Sequence, residues 1–290
     1  MRTAGALLYE VHQKLRAEIK PGVTTFDLDA YAESLIRKAG AIPSFKGYQG
    51  YPATLCTSVD DAVVHGIPSK KQVLKEGQII SVDCGLILDG WQSDSAFTAG
   101  VGEISPEAQR LIDITEECFW RAARQCVAGN RLGDVGHACQ EYAESNGCGV
   151  IRDLTGHGIG REMHEDPPVY NYGVPGKGLR LRKGMTIAVE PMISAGDWRV
   201  TCDDDQIRLS VEDNKKRGCS VENQKLVLND FLSDKPDFVV YDTYIDNGAT
   251  GTNFHRPGFQ QMLSDIEADH INCVIVKDLC RLGRNALDTG

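Results

Sequence analysis

The chain opens directly into a helical pattern after Met1-Arg2-Thr3-Ala4-Gly5. Two further helical patterns, each ending at a glycine, are bracketed by Gly22, Asp27, Leu28 and Gly40 and then by Gly129, Asp134, Val135 and Gly147. A single offset relates them (129 − 22 = 107). The same offset lays Leu74, Gly77, Ile80, Val82 and Asp83 over Leu181, Gly184, Ile187, Val189 and Glu190, so that a turn, a strand and a terminal carboxylate recur. Helix and strand agreeing on one spacing indicate an internal duplication. Between the copies, Ser105 supplies an N-cap, Pro106 a first helical residue and Glu107 an acidic first turn. Ala108, Leu111, Ile112, Cys118, Phe119, Ala122 and Cys126 continue as the stripe of a helix that should pack against a sheet. Val82 to Trp91 reads as a strand, an Asp-Gly turn and a returning strand that carries Asp94. Strands with helices on one face give an α+β fold.

The pattern changes after Trp198. Asp203-Asp204-Asp205 lead into a unit in which Ile207 to Ser210 resembles a strand end and Glu222 to Phe231 a helix. Asp246-Asn247-Gly248 is a turn, Phe259 to Ile266 a helix, and Cys273 to Val276 a buried strand. That order suggests a partial open α/β sheet. The expected partition is 1–200, a junction at 201–205, and 206–290.

Composition narrows the function. Formal charge is −10, with 21 basic against 25 acidic residues up to Val200 and 10 against 16 from Thr201 onward. Neither part has the basic excess of a nucleic-acid binder. The start lacks a basic segment followed by an apolar run and a cleavage site, and no apolar run approaches the roughly 20 residues that cross a bilayer. No membrane partner is expected. Ten cysteines are scattered without a closely spaced pair, which suits a reducing cytoplasm and argues against thiolate zinc sites.

Asp83 and Asp94 stand 11 residues apart (94 − 83) across a tight hairpin, which brings two carboxylates to one end of a strand pair. Through the repeat, Glu190 should face Asp83. Carboxylates so placed repel unless cations lie between them. Thr155-Gly156-His157-Gly158-Ile159-Gly160 adds an imidazole whose flanking glycines should leave one side open. Three carboxylates and one histidine suit two divalent ions sharing a hydroxide.

Four motifs then carry a resemblance. Cys56 to Pro68 with Asp60 and His65, the pair Val82-Asp83 and Ser93-Asp94-Ser95, Gly156-His157 to Gly160 followed by Met163-His164 and Pro167, and Val189-Glu190-Pro191-Met192 are similar, in order and spacing, to type I methionine aminopeptidases over about residues 1–200. The resemblance implies a pita-bread fold and two divalent ions (Co, Mn, Fe or Zn) held by Asp83, Asp94, His157 and Glu190, with Asp94 bridging. It implies that His65 and His164 contact the substrate and the developing tetrahedral intermediate. Phe45, Tyr48, Tyr51, Cys56 and Met163 match positions lining a methionine pocket, and soft, flat groups suit a thioether. The substrate would be the N-terminal methionine of peptides and nascent chains. There are departures. The family has Asn where Asp60 stands, and a strand preceding residue 1 has no counterpart. A fifth ligand, the glutamate of a Gln-x-Glu-His-Thr-like motif, is absent after Val200, and the repeat places Thr201 at the counterpart of Asp94. The second ion would then lose a bridging carboxylate and the sheet its closing strands, so the expected activity is weak or absent.

From Gln206 the chain resembles the catalytic domain of serine recombinases of the large resolvase-like type, through Ile207-Arg208-Leu209-Ser210, Gly248 to Phe259, and Val276 to Asn285. That likeness implies a nucleophilic Ser210, with Arg208, Arg256, Arg281 and Arg284 bracing DNA phosphate oxygens. Cys280 stands where that family has Ser or Asp, and its dimerisation helix and DNA-binding domains have no counterpart before Gly290. DNA is a partner only through this part. The alternative function is therefore a recombinase fragment, or a non-functional fusion caused by a mobile element.

Overall fold

A computed structural model describes residues 1–203, 206–209, 239–244 and 257–274. Contacts group the chain into two units, Met1–Lys216 and Arg217–Gly290.

In the first unit, helices α1 (Arg2–Glu18) and α2 (Thr25–Lys38) precede strands β1 (Ile42–Pro43), β2 (Leu55–Val59), β3 (Ala62–Val64), β4 (Ile79–Leu88) and β5 (Trp91–Gly100). Helices α3 (Pro106–Gln125) and α4 (Leu132–Ser145) follow, then β6 (Gly149–Val150), β7 (Gly156–Gly158), β8 (Glu165–Val169), β9 (Ile193–Ser194), β10 (Val200–Asp203) and β11 (Gln206–Leu209). Strand β4 is central, with β5 antiparallel along one edge and β2, then β1, antiparallel along the other. The β4–β5 hairpin turns at Asp89-Gly90, both with positive φ (53° and 73°), which is the conformation an Asp-Gly pair favours between twisted strands.

The duplication is visible bond by bond. Helices α2 and α4 span equivalent residues at the offset of 107 (132 − 25 and 145 − 38). The pairing of Ile42 with Ile87 recurs as Gly149 with Ser194, and that of Pro43 with Leu86 as Val150 with Ile193. Gly22 N donates to Leu74 O, as Gly129 N does to Leu181 O. Asp27 accepts from Thr24 N and Asp134 from Arg131 N, so both helices start on the same acidic reach-back. Only α2 completes the box, because Thr24 Oγ1 also accepts from Asp27 N at 3.1 Å, whereas Arg131 has no acceptor to offer. Each half encloses its own core. The first gathers Leu8, Val11 and Leu15 of α1, Leu28 and Ile36 of α2, and Ile80, Val82, Cys84 and Leu86 of β4. The second gathers Ile114, Cys118 and Ala122 of α3 with Val135, Cys139 and Ala143 of α4. The stripe of α3 thus meets α4 as well as the strands expected from the sequence, and Ser105 caps it by accepting from Ala108 N.

Two expectations change. The second copy of the β4 pattern, residues 186–190, makes one isolated bridge, Gly158 with Ile187, in place of a strand. It hydrogen-bonds to β7 on one side, through Ala188 N to His157 O and Ile159 N to Thr186 O. The returning strand that would flank its other side, β10, pairs with β11 instead. Strand β11 in turn pairs with β3, Ile207 opposite Val64 and Arg208 opposite Ala62. Residues 201–203 and 206–209 therefore pair within the first unit, and β3 gains a covering strand.

In the second unit, α5 (Pro257–Glu267) contains the helix expected at 259–266. Asp265 accepts from Tyr244 Oη at 2.8 Å. The strand expected at 273–276 is not formed at Cys273 and Val274, which are exposed and irregular. Ser210, Arg256, Arg281, Arg284, the expected helix 222–231 and the turn 246–248 lie outside the described residues.

Replacing Thr24 by Ala removes the side-chain half of the α2 box, and urea unfolding should show a loss of about 1 kcal/mol.

Candidate metal centre and adjoining pocket

Alternation along β4 decides which groups reach the site. Ile80, Val82, Cys84 and Leu86 are buried in the first core, so Ser81, Asp83 and Gly85 face the other way. Asp94 of β5 is paired with Gly85, which puts it on that same face, diagonal to Asp83. Gly85 is required here. A Cβ at this position would lie 2.8 Å from Phe45 Cε1 and 2.9 Å from Ser44 Cβ.

The second half supplies the facing groups. Ile187 and Val189 pack on the second core, leaving Ala188 and Glu190 on the opposite side of their segment. His157 sits in β7 between β8 and that segment. Its Nδ1 lies 2.7 Å from Gly158 O, and its Nε2 is 3.1 Å from Glu190 Oε1 and 3.7 Å from Asp94 Oδ2. The flanking glycines act differently from the sequence expectation. A Cβ at Gly156 would fall 2.3 Å from Ala188 O and one at Gly158 2.2 Å from Asp166 O, so the glycines admit two close backbones, and the imidazole is left facing the carboxylates. Asn171 holds the segment by donating from Nδ2 to Glu190 O at 2.5 Å.

The electrostatics of this cluster are unbalanced without a cation. Burial, with Asp94 and Glu190 close by, pushes the Asp83 carboxyl well above the usual carboxylate range. Burial opposes the charged form of His157, but Asp94, Glu190 and the Gly158 carbonyl outweigh it and bring its pKa up to about 10. Asp94 Oδ1 and Glu190 Oε1 are buried with no hydrogen-bond partner; Glu190 Oε1 is near His157 Nε2 but misaligned for a bond. Orphaned anionic oxygens beside an imidazole whose other nitrogen is tied to a carbonyl fit a divalent ion. Among the described residues no group of three or more His, Cys, Asp and Glu side chains stands in a geometry that would hold a metal ion as it is.

At the rim, His65 follows β3 in the left-handed region (φ 60°). Gly66 locks it down, since Thr57 N donates to Gly66 O at 2.7 Å and a Cβ on Gly66 would meet Thr57 O. His164 packs edge-on to His157 with ring centroids 4.3 Å apart, and its Nδ1 lies 2.8 Å from Tyr48 Oη. Burial lowers the pKa of both rim histidines, and for His164 the neighbouring His157 adds to it. Beside them, Phe45, Cys56 and Met163 form one small buried cluster with Tyr48 and Tyr51 packed against it. Cys56 pairs with Asp83 in the β2–β4 register, which joins pocket to centre. Burial and then Asp83 push its thiol pKa up, keeping it neutral.

The family profile for metallopeptidase family M24 matches residues 1–229. The chain belongs to metallopeptidase family M24. A methionine aminopeptidase of Clostridium acetobutylicum is 56% identical over 200 residues, covering 69% of this chain and 80% of the relative. The crystal structure of a Thermotoga maritima methionine aminopeptidase superposes with a TM-score of 0.71 at 45% identity, covering 73% of this chain and 86% of that one. A Pyrococcus furiosus prolidase shares the fold, with a TM-score of 0.56 at 24% identity over 65% of this chain and 53% of its own. These neighbours give the metallopeptidase a pita-bread fold, and the family implies divalent metal ions. A second profile, the resolvase N-terminal domain, matches residues 206–289.

Within the metallopeptidase, Asp60 occupies the β2–β3 turn, and its carboxylate bonds to the start of β4, accepting from Ile79 N and from Gln78 Nε2. Arg208, expected on DNA phosphate, pairs with Asp61 Oδ1 at 2.9 Å. Sequence reasoning missed Asn171 and the bond between Tyr48 and His164, neither of which has a local signature.

Burial and the neighbouring carboxylates raise the Asp83 carboxyl, and Asp94 and Glu190 raise His157, so loading with Mn²⁺ or Co²⁺ near pH 7.5 should release protons. Calorimetry in buffers of different ionisation enthalpy measures this. Asp83→Asn should stabilise the metal-free protein while abolishing the rise in melting temperature that the metal brings.

Proposed function

We propose that this chain removes the N-terminal methionine from polypeptides, using divalent ions held by Asp83, Asp94, His157 and Glu190. The observation that carries this reading is the contiguity of two things: orphaned carboxylate oxygens on Asp94 and Glu190, and a small apolar pocket lined by Phe45, Cys56 and Met163. When bound, divalent ions supply Lewis acidity toward the scissile carbonyl and acidify water. Asp83 and Asp94 from the first half and His157 and Glu190 from the second would hold them.

The protein's own groups do the rest. The pocket takes the methionine side chain, with the thioether against the faces of Tyr48 and Tyr51 and beside the Met163 sulfur. The acidic cluster attracts the free α-amine, which makes the chain an exopeptidase acting at a charged terminus. His164, neutral because of burial and the nearby His157, offers a hydrogen bond to the carbonyl oxygen as negative charge develops there. His65, fixed by its Gly66 anchor, contacts the substrate from the opposite rim. The cytoplasm, where nascent chains present this terminus, suits the free cysteines among the described residues. No helix among the described residues is long and apolar enough to cross a membrane. For the recombinase alternative, Arg208 is the one proposed DNA-contacting residue among those described, and it is engaged by Asp61.

Four ligands in place of five predict slow turnover. Purified protein loaded with Co²⁺, Mn²⁺, Fe²⁺ or Zn²⁺ should release methionine from a Met-Ala-type peptide below the rate of the Clostridium relative. Chelator should stop it, and Asp94→Ala should lower it at least 100-fold. Absence of metal-dependent hydrolysis overturns the proposal.

A further inference from the structure

The bond between Tyr48 and His164 joins residues 116 apart in the chain and spans the pocket and the rim. Its direction follows from counting protons. Tyr48 Oη has one proton and receives a hydrogen bond from Gln49 Nε2 at 3.4 Å. If His164 Nδ1 also donated to it, the phenol would take two donors while its own proton had no protein acceptor. With the phenol donating to Nδ1, its proton has an acceptor and its oxygen takes a single donor, Gln49 Nε2.

The backbone is organised around this arrangement. Gly47, Gln49 and Gly50 have φ of 88°, 48° and 83°, three left-handed residues within a four-residue span. A glutamine in that region is strained, because its Cβ crowds the backbone there. The loop is closed by Gly47 N donating to Tyr51 O, Tyr48 N to Phe45 O and Tyr51 N to Tyr48 O. Strain at Gln49 is held in place by these bonds, and it presents the amide to the Tyr48 oxygen.

We propose that Tyr48 is a positioning residue for His164: its hydroxyl donates to Nδ1, which fixes the imidazole proton on Nε2, the nitrogen left to donate toward the substrate. The assignment deepens the aminopeptidase reading and rests on it for its consequence. A ring with its proton on Nδ1 would present a lone pair to the developing oxyanion, and repel it.

The test uses the full-length chain labelled with ¹⁵N, at a pH where the ring is neutral. His164→Gln assigns its signals in long-range ¹H–¹⁵N spectra. The wild type should show a protonated Nε2 and a bare Nδ1 shifted by accepting a hydrogen bond. Tyr48→Phe keeps the ring in the pocket, and should return Nδ1 to the shift of a free acceptor and admit the other tautomer. In turnover, the same substitution should lower kcat roughly tenfold with KM nearly unchanged. A protonated Nδ1 in the wild type, or His164 nitrogen signals unmoved by Tyr48→Phe, overturns the assignment. The expected nitrogen pattern in a chain without peptidase activity would support the assignment and defeat the aminopeptidase reading separately.

Discussion

Three carboxylates and an imidazole are forced into one cleft by two halves of a duplicated fold, and the rest of the structure is arranged to tolerate that. Like charges in a protein environment repel at short range, and Asp94 and Glu190 add to burial in opposing the charged form of Asp83. Burial with those neighbours raises the Asp83 carboxyl, while Asp94 and Glu190 raise His157 against the effect of its own burial. Divalent ions, when bound, would supply the compensating charge to the carboxylates and to the His157 imidazole. Neither half could do this alone, because Asp83 and Asp94 come from the first hairpin while His157 and Glu190 come from the second half.

What the sequence made legible is what local chemistry determines. The offset of 107 predicted two equivalent helices, and α2 and α4 coincide with it because Asp27 and Asp134 start them and a glycine follows each. The Asp89-Gly90 turn set the β4–β5 register, and that register placed Asp94 on the face of Asp83. The strand at 186–190 was not legible as it stands. Its alternation is intact, with Ile187 and Val189 inward, but a strand needs partners, and what lies beside it depends on where β10 goes. The glycines around His157 were read as leaving one side of the ring open, whereas they admit close backbone from β8 and from Ala188, which is a tertiary fact. The contact of Tyr48 with His164 was invisible for the same reason.

The segment from Gln206 shows how little a strand's identity need matter. Residues 206–229 fall within both matched profiles, M24 and resolvase. In the structure, β11 is hydrogen-bonded to β10 and β3, between the two. Such pairing is made by backbone groups that every residue except proline carries, so an edge at β3 can be satisfied by a strand of either ancestry. The partition by family likeness and the partition by contacts consequently disagree at these residues, and the contacts describe where the backbone bonds are made.

The ion pair between Arg208 and Asp61 does not alter that account. Both side chains are substantially exposed, 38% and 60%, and a pair in that setting contributes at most about 1 kcal/mol. The ladder therefore holds β11, and the ion pair follows from it. Strand β3 ends at Val64, next to His65, and its ladder with β11 includes the Val64–Ile207 pairing. Strand β11 thus supports a residue at the rim of the candidate metal centre, through Val64 and the Gly66 anchor on either side of His65.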